Sequence, residues 1–305
     1  MPRYLLGVVI AFFEPVFHGG CNIVDHFLSA KVFPRLTTLV FFGKSLTLLF
    51  LPIVWYLSPP SRLSPLLLAL VFGIACIEIL YNFPYYYALR IIDTSIVASL
   101  FSIGRIFVPI LAYVVVGERL LPIQYFGFAL ITVAALALTF DRSRLRFNSA
   151  FFLMGFVSLI LAVETIMYKY AFTHGASWGS VVVPMMLFEF CIIVLGYAAT
   201  GGMRTVRADF GTVRASWKLF FGNEFFGWLG NMGDSFGVSV LPATVASAIG
   251  STQPIFTLLY AALFKRTHPE VFREQLGARA AAKLFWFSVI IVGVVLVVAF
   301  GATSV

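Results

Sequence analysis

The chain has 305 residues, of which 61% are hydrophobic and 11% are charged, and its formal net charge is +8. This composition excludes a soluble globular domain, because too little polar surface would remain to face water. It also argues against a nucleic-acid-binding protein. The basic residues lie mostly in short segments between long apolar runs, where Lys and Arg set the topology of a membrane protein.

Apolar runs of roughly 18 to 25 residues, the length of a helix that crosses a bilayer, recur along the whole sequence. We therefore expect an all-α polytopic membrane protein with ten transmembrane helices. The predicted spans are residues 4–24, 36–57, 64–88, 94–116, 121–140, 148–172, 178–200, 217–240, 242–264 and 284–301. The 3 cysteines fit neither a disulfide framework nor the spacing of metal ligands, so we expect no metal and no cofactor.

The first span carries polar side chains at membrane depth. Glu14, His18 and Asn22 are spaced at i, i+4 and i+8, which puts them on one narrow stripe of a helix. An ionisable residue at this depth must face protein or water, so the stripe predicts a site that binds a proton and a solute. The alternatives are structural: a buried cation beside Glu14, a hydrogen-bonded His18, and a helix–helix hydrogen bond from Asn22.

The third span has a second polar pair, because Glu78 and Asn82 lie one helical turn apart. We expect Glu78 either to contact a solute or to form a structural ion pair. The tyrosines that follow, at positions 85 to 87, are more typical of the aromatic belt at a membrane interface, although one of them could face a solute.

Arg105 lies at the centre of the fourth span and needs an anion, because an arginine does not lose its charge. Its partner is either an internal glutamate, which we favour because buried acids outnumber buried bases, or a carboxylate or phosphate of the substrate. By the same reasoning, Lys44 in the second span and Glu189 in the seventh are expected to form an ion pair.

The second half of the sequence has its own polar residues inside spans. Glu164 lies in the sixth span, and Lys169 is close enough to the helix end to extend towards the interface and leave Glu164 free. In the eighth span, Glu224, Trp228 and Asn231 share a broad face. An aromatic ring beside a carboxylate suits a cationic or amphipathic solute. A packing face of small residues is the alternative.

Two short matches indicate an internal repeat. Ile96–Phe101 resembles Thr244–Ile249 at an offset of 244 − 96 = 148 residues, and Glu14 aligns with Glu164 at an offset of 150. We therefore expect two five-helix repeats, residues 1–145 and 146–305. Because five is odd, the second repeat would cross the membrane with opposite polarity. Such inverted repeats place a solute site near the bilayer midplane, between the halves.

Three features resemble the EamA-type members of the drug/metabolite transporter superfamily. They are the five-plus-five arrangement, the turn Gly117-Glu118-Arg119-Leu120, and the Ala246-Ser247…Pro254 helix with its following short apolar run. The resemblance implies a transporter fold. In the small multidrug transporters of the same superfamily a glutamate of the first helix binds the proton and the solute, and the segment Glu164–Lys169 loosely resembles that helix. The sequence departs from the family at Arg105, where a proline is usual, and at Lys265-Arg266, where Gly-Glu is common.

The basic residues predict an orientation. Of the 21 Lys and Arg residues, Lys44, Arg105 and Lys169 lie within spans and three lie on the side of the termini, which leaves fifteen on the opposite side. The positive-inside rule puts those fifteen in the cytoplasm and both termini outside. The family resemblance implies cytoplasmic termini instead, and we follow the count. The location we expect is the inner (plasma) membrane of a bacterium.

These observations predict a secondary active transporter, coupled to protons or working by exchange. Its solute would be a small polar or amphipathic metabolite, either amino-acid-like or an amine. The partners we expect are this solute and membrane lipids, with no nucleic acid, and the chain would act as a monomer or homodimer. The alternatives are a flippase for a lipid-linked sugar or phosphate, and a structural membrane protein that does not transport. An enzyme is not expected, because the sequence lacks H-E-x-x-H and G-x-S-x-G motifs.

Overall fold

A computed structural model describes residues 2–92, 94–139, 149–264 and 280–301, and all regular secondary structure in these ranges is helical. The helices of the first half are α1 (Pro2–Ala11), α2 (Phe13–Phe27), α3 (Leu36–Leu46), α4 (Leu51–Leu57), α5 (Pro65–Leu80), α6 (Asn82–Ile91), α7 (Thr94–Arg105), α8 (Val108–Val116) and α9 (Pro122–Thr139). Those of the second half are α10 (Ser149–Thr173), α11 (Trp178–Ala199), α12 (Met203–Ala208), α13 (Phe210–Val240), α14 (Ala243–Gly250), α15 (Gln253–Phe264) and α16 (Ala280–Gly301). A π-helical segment at Leu28–Val32 extends α2, and a 3-10 segment at Thr47–Phe50 joins α3 to α4.

Seven helical segments of the described chain are long and apolar enough to cross a membrane. They are Arg3–Val32, Leu36–Leu57, Pro65–Ile91, Ile96–Val116, Phe151–Thr173, Trp178–Ala199 and Ala243–Phe264. Two more apolar helices, Pro122–Ala137 and Phe285–Phe300, are shorter. The predicted eighth span lies in α13, which is 31 residues long but is interrupted by charged residues and glycines. The all-helical membrane class is therefore confirmed, while the number of ten spans stays a prediction.

Two of the spans are interrupted near their centres. Helix α7 ends at Arg105, and Pro109 lies in the first turn of α8. Likewise α14 ends at Gly250, and Pro254 lies in the first turn of α15. Proline cannot donate a backbone hydrogen bond and is best tolerated in the first turn of a helix, which fits the restart of each helix just before its proline. The interruptions leave helix ends, with backbone groups available for other partners, in the interior of the protein.

The turn between α8 and α9 places a side chain of the first half against the second half. Gly117 adopts φ 69°, in the left-handed region that ends many helices, and so turns the chain after α8. The carboxylate of Glu118 then accepts hydrogen bonds from the backbone N–H groups of Ala243 at 2.7 Å and Thr244 at 3.0 Å. These donors have no partner within α14 itself, so a side chain of the first half caps a helix of the second.

Glycines allow two helix pairs to pack closely. A Cβ atom on Gly104 of α7 would overlap the backbone of Ser158 in α10. A Cβ atom on Gly233 of α13 would press against the backbone of Ile10 and Glu14 in the first span. Small residues at such crossings are typical of helix packing in membranes. Both crossings bring polar faces of the two halves next to each other.

The hydrophobic clusters of the protein also combine both halves. One contains Leu39 with Met154, and another contains Val71 with Val182. A third is built where α9 packs along α16. In the described ranges these clusters are shared by both halves, and the polar residues described next lie between helices that both halves supply.

Candidate functional site

A cavity of about 170 Å³ lies between the two halves. The first half lines it with residues of α2, α3, α5, α6 and α7, and the second half with residues of α10, α13, α14 and α15. All ten residues that the sequence singled out line this cavity: Glu14, His18, Asn22, Glu78, Asn82, Arg105, Glu164, Glu224, Trp228 and Asn231. The structure thus brings the predicted residues together, while their roles in binding stay predictions.

Helix α2 presents the polar stripe of the first span to the cavity. Glu14 and Asn22 are buried, with exposed fractions of 5% and 4%. His18 Nε2 lies 3.2 Å from the carbonyl oxygen of Gly227, and because a carbonyl only accepts, this nitrogen donates. Asp25 continues the stripe beyond the end of the predicted span and is also buried. The polar stripe therefore runs along α2 on the side that packs against α13.

The guanidinium group of Arg105 pairs with Glu14. Its Nη2 donates to Glu14 Oε1, and its Nη1 donates to the carbonyl oxygen of Ser247 at 3.2 Å. A Cβ atom on Gly250 would overlap the guanidinium group, so glycine is needed where α14 ends. Asp234 lies beside the pair. The internal partner predicted for Arg105 is confirmed, and the charge of Glu14 is neutralised within the protein.

Lys44 is the centre of a second ionic cluster. Its Nζ donates to Glu78 Oε2 at 2.8 Å and to Glu189 Oε1 at 3.0 Å. It also lies 5.9 Å from the centroid of the Tyr81 ring, within the range of a cation–π contact. Asn82 donates through Nδ2 to the backbone oxygen of Glu78. The predicted pair of Lys44 and Glu189 is confirmed, and it connects α3 of the first half to α11 of the second.

Asp25 has only neutral hydrogen-bond partners in the described part of the chain. Its Oδ2 accepts from the hydroxyl of Tyr85 at 2.8 Å, and its Oδ1 accepts from Nδ2 of Asn223 at 2.8 Å. The same hydroxyl lies 2.8 Å from Oδ1 of Asn22. This cluster joins α2, α6 and α13, and it differs from the two ionic clusters because no cation contacts its carboxylate.

The tyrosines of α6 do not form an interfacial belt. Tyr85 and Tyr86 are each 6% exposed and line the cavity, whereas Tyr87 is exposed. The belt interpretation is therefore wrong for the first two. The reason is that α6 packs against α2, α7 and α10, so two of three consecutive positions face protein.

Glu164 is the least satisfied acid of the cavity. It is 4% exposed, and its Oε1 has no hydrogen-bond partner among the described residues. Lys169 donates instead to the carbonyl oxygens of Val238 at 3.3 Å and Leu241 at 2.7 Å, near the end of α13. The expectation that Lys169 leaves Glu164 free is confirmed.

Helix α13 contributes the remaining predicted residues. The carboxyl group of Glu224 packs against Gly43 of α3, a position where only a glycine leaves this space. The ring of Trp228 stacks on Phe50, with centroids 4.8 Å apart. Asn231 lines the cavity between these residues and Asp234. Helix α13 therefore packs against neighbouring helices and also contributes polar side chains to the wall of the cavity.

Buried polar atoms without a partner concentrate at the cavity. In the described ranges, six buried side-chain nitrogen or oxygen atoms lack a hydrogen bond within the protein, and only Ser45 Oγ belongs to a residue outside the lining. The other five are Asn22 Nδ2, Glu164 Oε1, Asn223 Oδ1, Trp228 Nε1 and Ser247 Oγ. Leaving such atoms unpaired costs about 1–3 kcal/mol each, so they mark a place where a polar ligand would be stabilised.

The lining also includes polar residues that the sequence analysis did not predict as site residues, among them Asp25, Asn223, Ser247 and Gln253. Asp25 could have been found, because i+11 continues the stripe that starts at Glu14. Gln253 could also have been found, since it lies 253 − 105 = 148 residues after Arg105, the offset of the internal match. No sequence signal distinguishes Asn223. No group of three or more His, Cys, Asp or Glu side chains is arranged to hold a metal ion in the part of the chain described.

Residues 5–140 match the sequence profile of the EamA-like transporter family. This part of the chain is similar to that family. The EamA-like range contains α1 to α9 and therefore Glu14, Lys44 and Arg105, while Glu164 and Glu224 lie beyond it. The resemblance to the drug/metabolite transporter superfamily is thereby confirmed. Together with the apolar helices, it makes the protein an integral membrane protein of a transporter family.

A solved crystal structure of a protein shares the fold over both halves. The TM-score is 0.62 at 13% sequence identity, and the match covers 97% of this chain and 97% of that chain. At this identity the likeness concerns the fold alone. No curated protein matches the sequence.

Proposed function

We propose that this EamA-like protein is a secondary active transporter of a small cationic or zwitterionic metabolite, an amine or an amino-acid-like compound. The observation that carries the proposal is the cavity shared by both halves, with the unpaired acid Glu164 and four other unpartnered polar atoms on its wall. A solute with N–H donors and oxygen acceptors would satisfy these atoms. A purely structural bundle would gain nothing from leaving them unpaired.

The proposal includes ten membrane helices arranged as two inverted repeats, residues 1–145 and 146–305. Packing between the halves supports this, because a helix of the first half and its counterpart in the second half make equivalent contacts with the opposite half. The first span packs against α13 and α15, and α10, its counterpart, packs against α5, α6, α7 and α8. The interrupted helices α7/α8 and α14/α15 are also counterparts. Discontinuous helices at the repeat interface are typical of solute sites near the bilayer midplane.

The charge of the cavity favours a solute with a positive group. Its lining has two strong bases, Lys44 and Arg105, against six acids: Glu14, Asp25, Glu78, Glu164, Glu224 and Asp234. Both bases are already bonded to carboxylates of the protein. Acids that remain without a cation must bind protons, each other or a cationic ligand, because an isolated charge in this setting is costly.

Glu164 is the group that we assign to proton coupling or exchange. Its counterpart Glu14 is held by Arg105, whereas Glu164 contacts no basic side chain in the described ranges. A carboxyl group in this situation can carry a proton in one step and release it when a cationic solute takes its place. The two equivalent glutamates would thus have different roles: ion pairing for Glu14 and exchange for Glu164.

The flippase alternative finds less support in these contacts. It needs a free cation for the phosphate of a lipid headgroup, but Lys44 and Arg105 are both bonded to internal glutamates. A structural role without transport is opposed by the unpartnered atoms of the cavity. For the membrane placement we retain the bacterial inner membrane with both termini outside, on the distribution of basic residues. Either a monomer or a homodimer is compatible with this arrangement.

A ligand screen tests the proposed function. We would measure the thermal unfolding midpoint of the purified protein against amines, amino acids and phosphate headgroup analogues. A ligand that binds the folded state raises the midpoint by mass action. We expect amines or amino acids to do so in the wild type and not in Glu164→Gln. The matched control is Asp209→Asn, whose carboxylate binds Thr38 and Arg35 away from the cavity. Stabilisation by phosphate analogues alone would favour the flippase instead of the amine or amino-acid transporter.

A further inference from the structure

The acids of the cavity lie in two separate regions. Glu14 and Asp25 are both in α2, eleven residues apart, which at 1.5 Å per residue is about 16 Å along the helix axis. On α13, which packs against α2, Asp234 lies at the Glu14 end and Glu224 lies at the Asp25 end. Glu164 has the acids Glu78 and Asp234 as electrostatic neighbours, whereas Glu224 has Asp25. Lys44 has a smaller, opposite effect on both Glu164 and Glu224.

Neither Lys44 nor Arg105 is hydrogen-bonded to an acid at the Asp25 end in the described ranges. Lys44 is hydrogen-bonded to Glu78 and Glu189, and Arg105 is hydrogen-bonded to Glu14. The hydrogen bonds of Asp25 come from the hydroxyl of Tyr85 and from the amide of Asn223, which are both neutral. Two neutral donors orient this buried carboxylate without cancelling its charge, and a second acid, Glu224, is its electrostatic neighbour.

Two unpartnered atoms show that this region is built for a ligand. Asn223 Oδ1 belongs to a side chain that is 7% exposed, and it has no partner in the described chain because its amide nitrogen is bonded to Asp25. Asn22 Nδ2 is also unpartnered, since Oδ1 of the same amide faces the hydroxyl of Tyr85. The first is an acceptor for an N–H group. The second is a donor that a bare metal ion would leave unsatisfied, so an organic ligand fits better.

We propose that Asp25, Asn223 and Glu224 form a second cation subsite, which binds an N–H-bearing cationic group, so that the transported solute is a dication. Its other positive group lies at Glu164. This inference rests on the proposed function and narrows its solute class to compounds with two ammonium or guanidinium groups on a linear scaffold. In this subsite Asp25 and Asn223 accept hydrogen bonds from the cationic group, and Glu224 is a second acidic side chain beside it.

The test compares monoamines with α,ω-diamines of the same carbon chain, over increasing chain length, on the purified full-length protein. We expect longer diamines to bind about 30-fold more tightly than their monoamines, since a buried charge pair contributes on the order of that factor. Asp25→Asn should remove this advantage while monoamine binding remains. Glu224→Gln, at a half-buried position, tests the same subsite if Asp25→Asn does not fold. Asp209→Asn again serves as the matched control.

Three results would overturn the inference. If monoamines bind in a Glu164-dependent way and diamines bind no better, the second subsite is absent while the proposed function stands. If folded Asp25→Asn and Glu224→Gln proteins keep the full diamine advantage, the second charge binds elsewhere. If sodium chloride alone stabilises the wild type and not Asp25→Asn, the cluster holds an inorganic ion. Failure of every amine and amino acid to bind would remove the proposed function as well.

Discussion

Arg105 and Glu14 illustrate how an ionisable residue is kept inside this protein. The pair is largely buried, with side-chain exposures of 18% and 6%. Removing charges from water costs several kcal/mol per ion, and the mutual attraction in the interior offsets this only when geometry and further hydrogen bonds are good. Here the guanidinium group gains a second acceptor, the Ser247 carbonyl, at the interruption between α14 and α15.

We expect Arg105→Met to lower the free energy of unfolding by about 3–5 kcal/mol, because Glu14 would keep its burial without a cation. Denaturant unfolding in mixed micelles would measure the loss. The double variant with Glu14→Gln should recover most of it, since the uncompensated charge is then gone. A single variant as stable as the wild type would show that Glu14 does not depend on Arg105.

At the scale of helices, the capping of α14 by Glu118 fixes the position of Ser247 in the cavity. The carboxylate occupies the site where a helix N-terminus favours negative charge. Because Glu118 follows α8 and α14 belongs to the second half, this contact determines how the two interrupted spans meet.

Glu118→Ala should therefore cost about 1 kcal/mol of stability, the usual loss when a helix cap is removed. It should also weaken ligand binding, because the start of α14 would be less firmly held. Arg119→Ala, at the exposed neighbouring position, is the matched control and should change stability by less than about 0.5 kcal/mol. Equal effects of both substitutions in thermal unfolding would argue against the cap.

The polar stripe of the first span and the prolines that begin α8 and α15 could be recognised in the sequence. The partners of the buried charged residues could not be predicted. The spacing of Glu14, His18 and Asn22 put them on one face because a helix has a fixed period. That Lys44 binds Glu78 as well as Glu189 depends on how α3, α5 and α11 pack, which no local pattern encodes. The position of Tyr85 depends on packing in the same way. Asp25 was missed because hydropathy ends the first span before the helix ends.

At the scale of the whole molecule, the two halves share their hydrophobic clusters and their ionic contacts. The Lys44–Glu189 pair, the hydrogen bond from Arg105 to the Ser247 carbonyl, the Glu118 cap and the α9–α16 packing each join the first half of the chain to the second. If the chain is an inverted-repeat transporter, as proposed, a cavity at this boundary would rearrange when one half rocks against the other.

If the halves depend on each other in this way, fragments 1–145 and 146–305 should each be degraded or aggregate when expressed alone. Co-expression should restore a folded, ligand-binding complex, which size-exclusion chromatography and thermal unfolding would detect. A fragment that folds and unfolds cooperatively by itself would contradict the shared core.

The most direct test of the central claim is solute-driven proton movement in vesicles. Purified protein would be reconstituted with a pH-sensitive dye inside, and an amine identified by the ligand screen would be added outside. The account predicts a change of internal pH that depends on the solute and is abolished by Glu164→Gln, while Asp209→Asn keeps it. Solute-driven proton movement that persists in a folded Glu164→Gln protein would contradict the role assigned to Glu164.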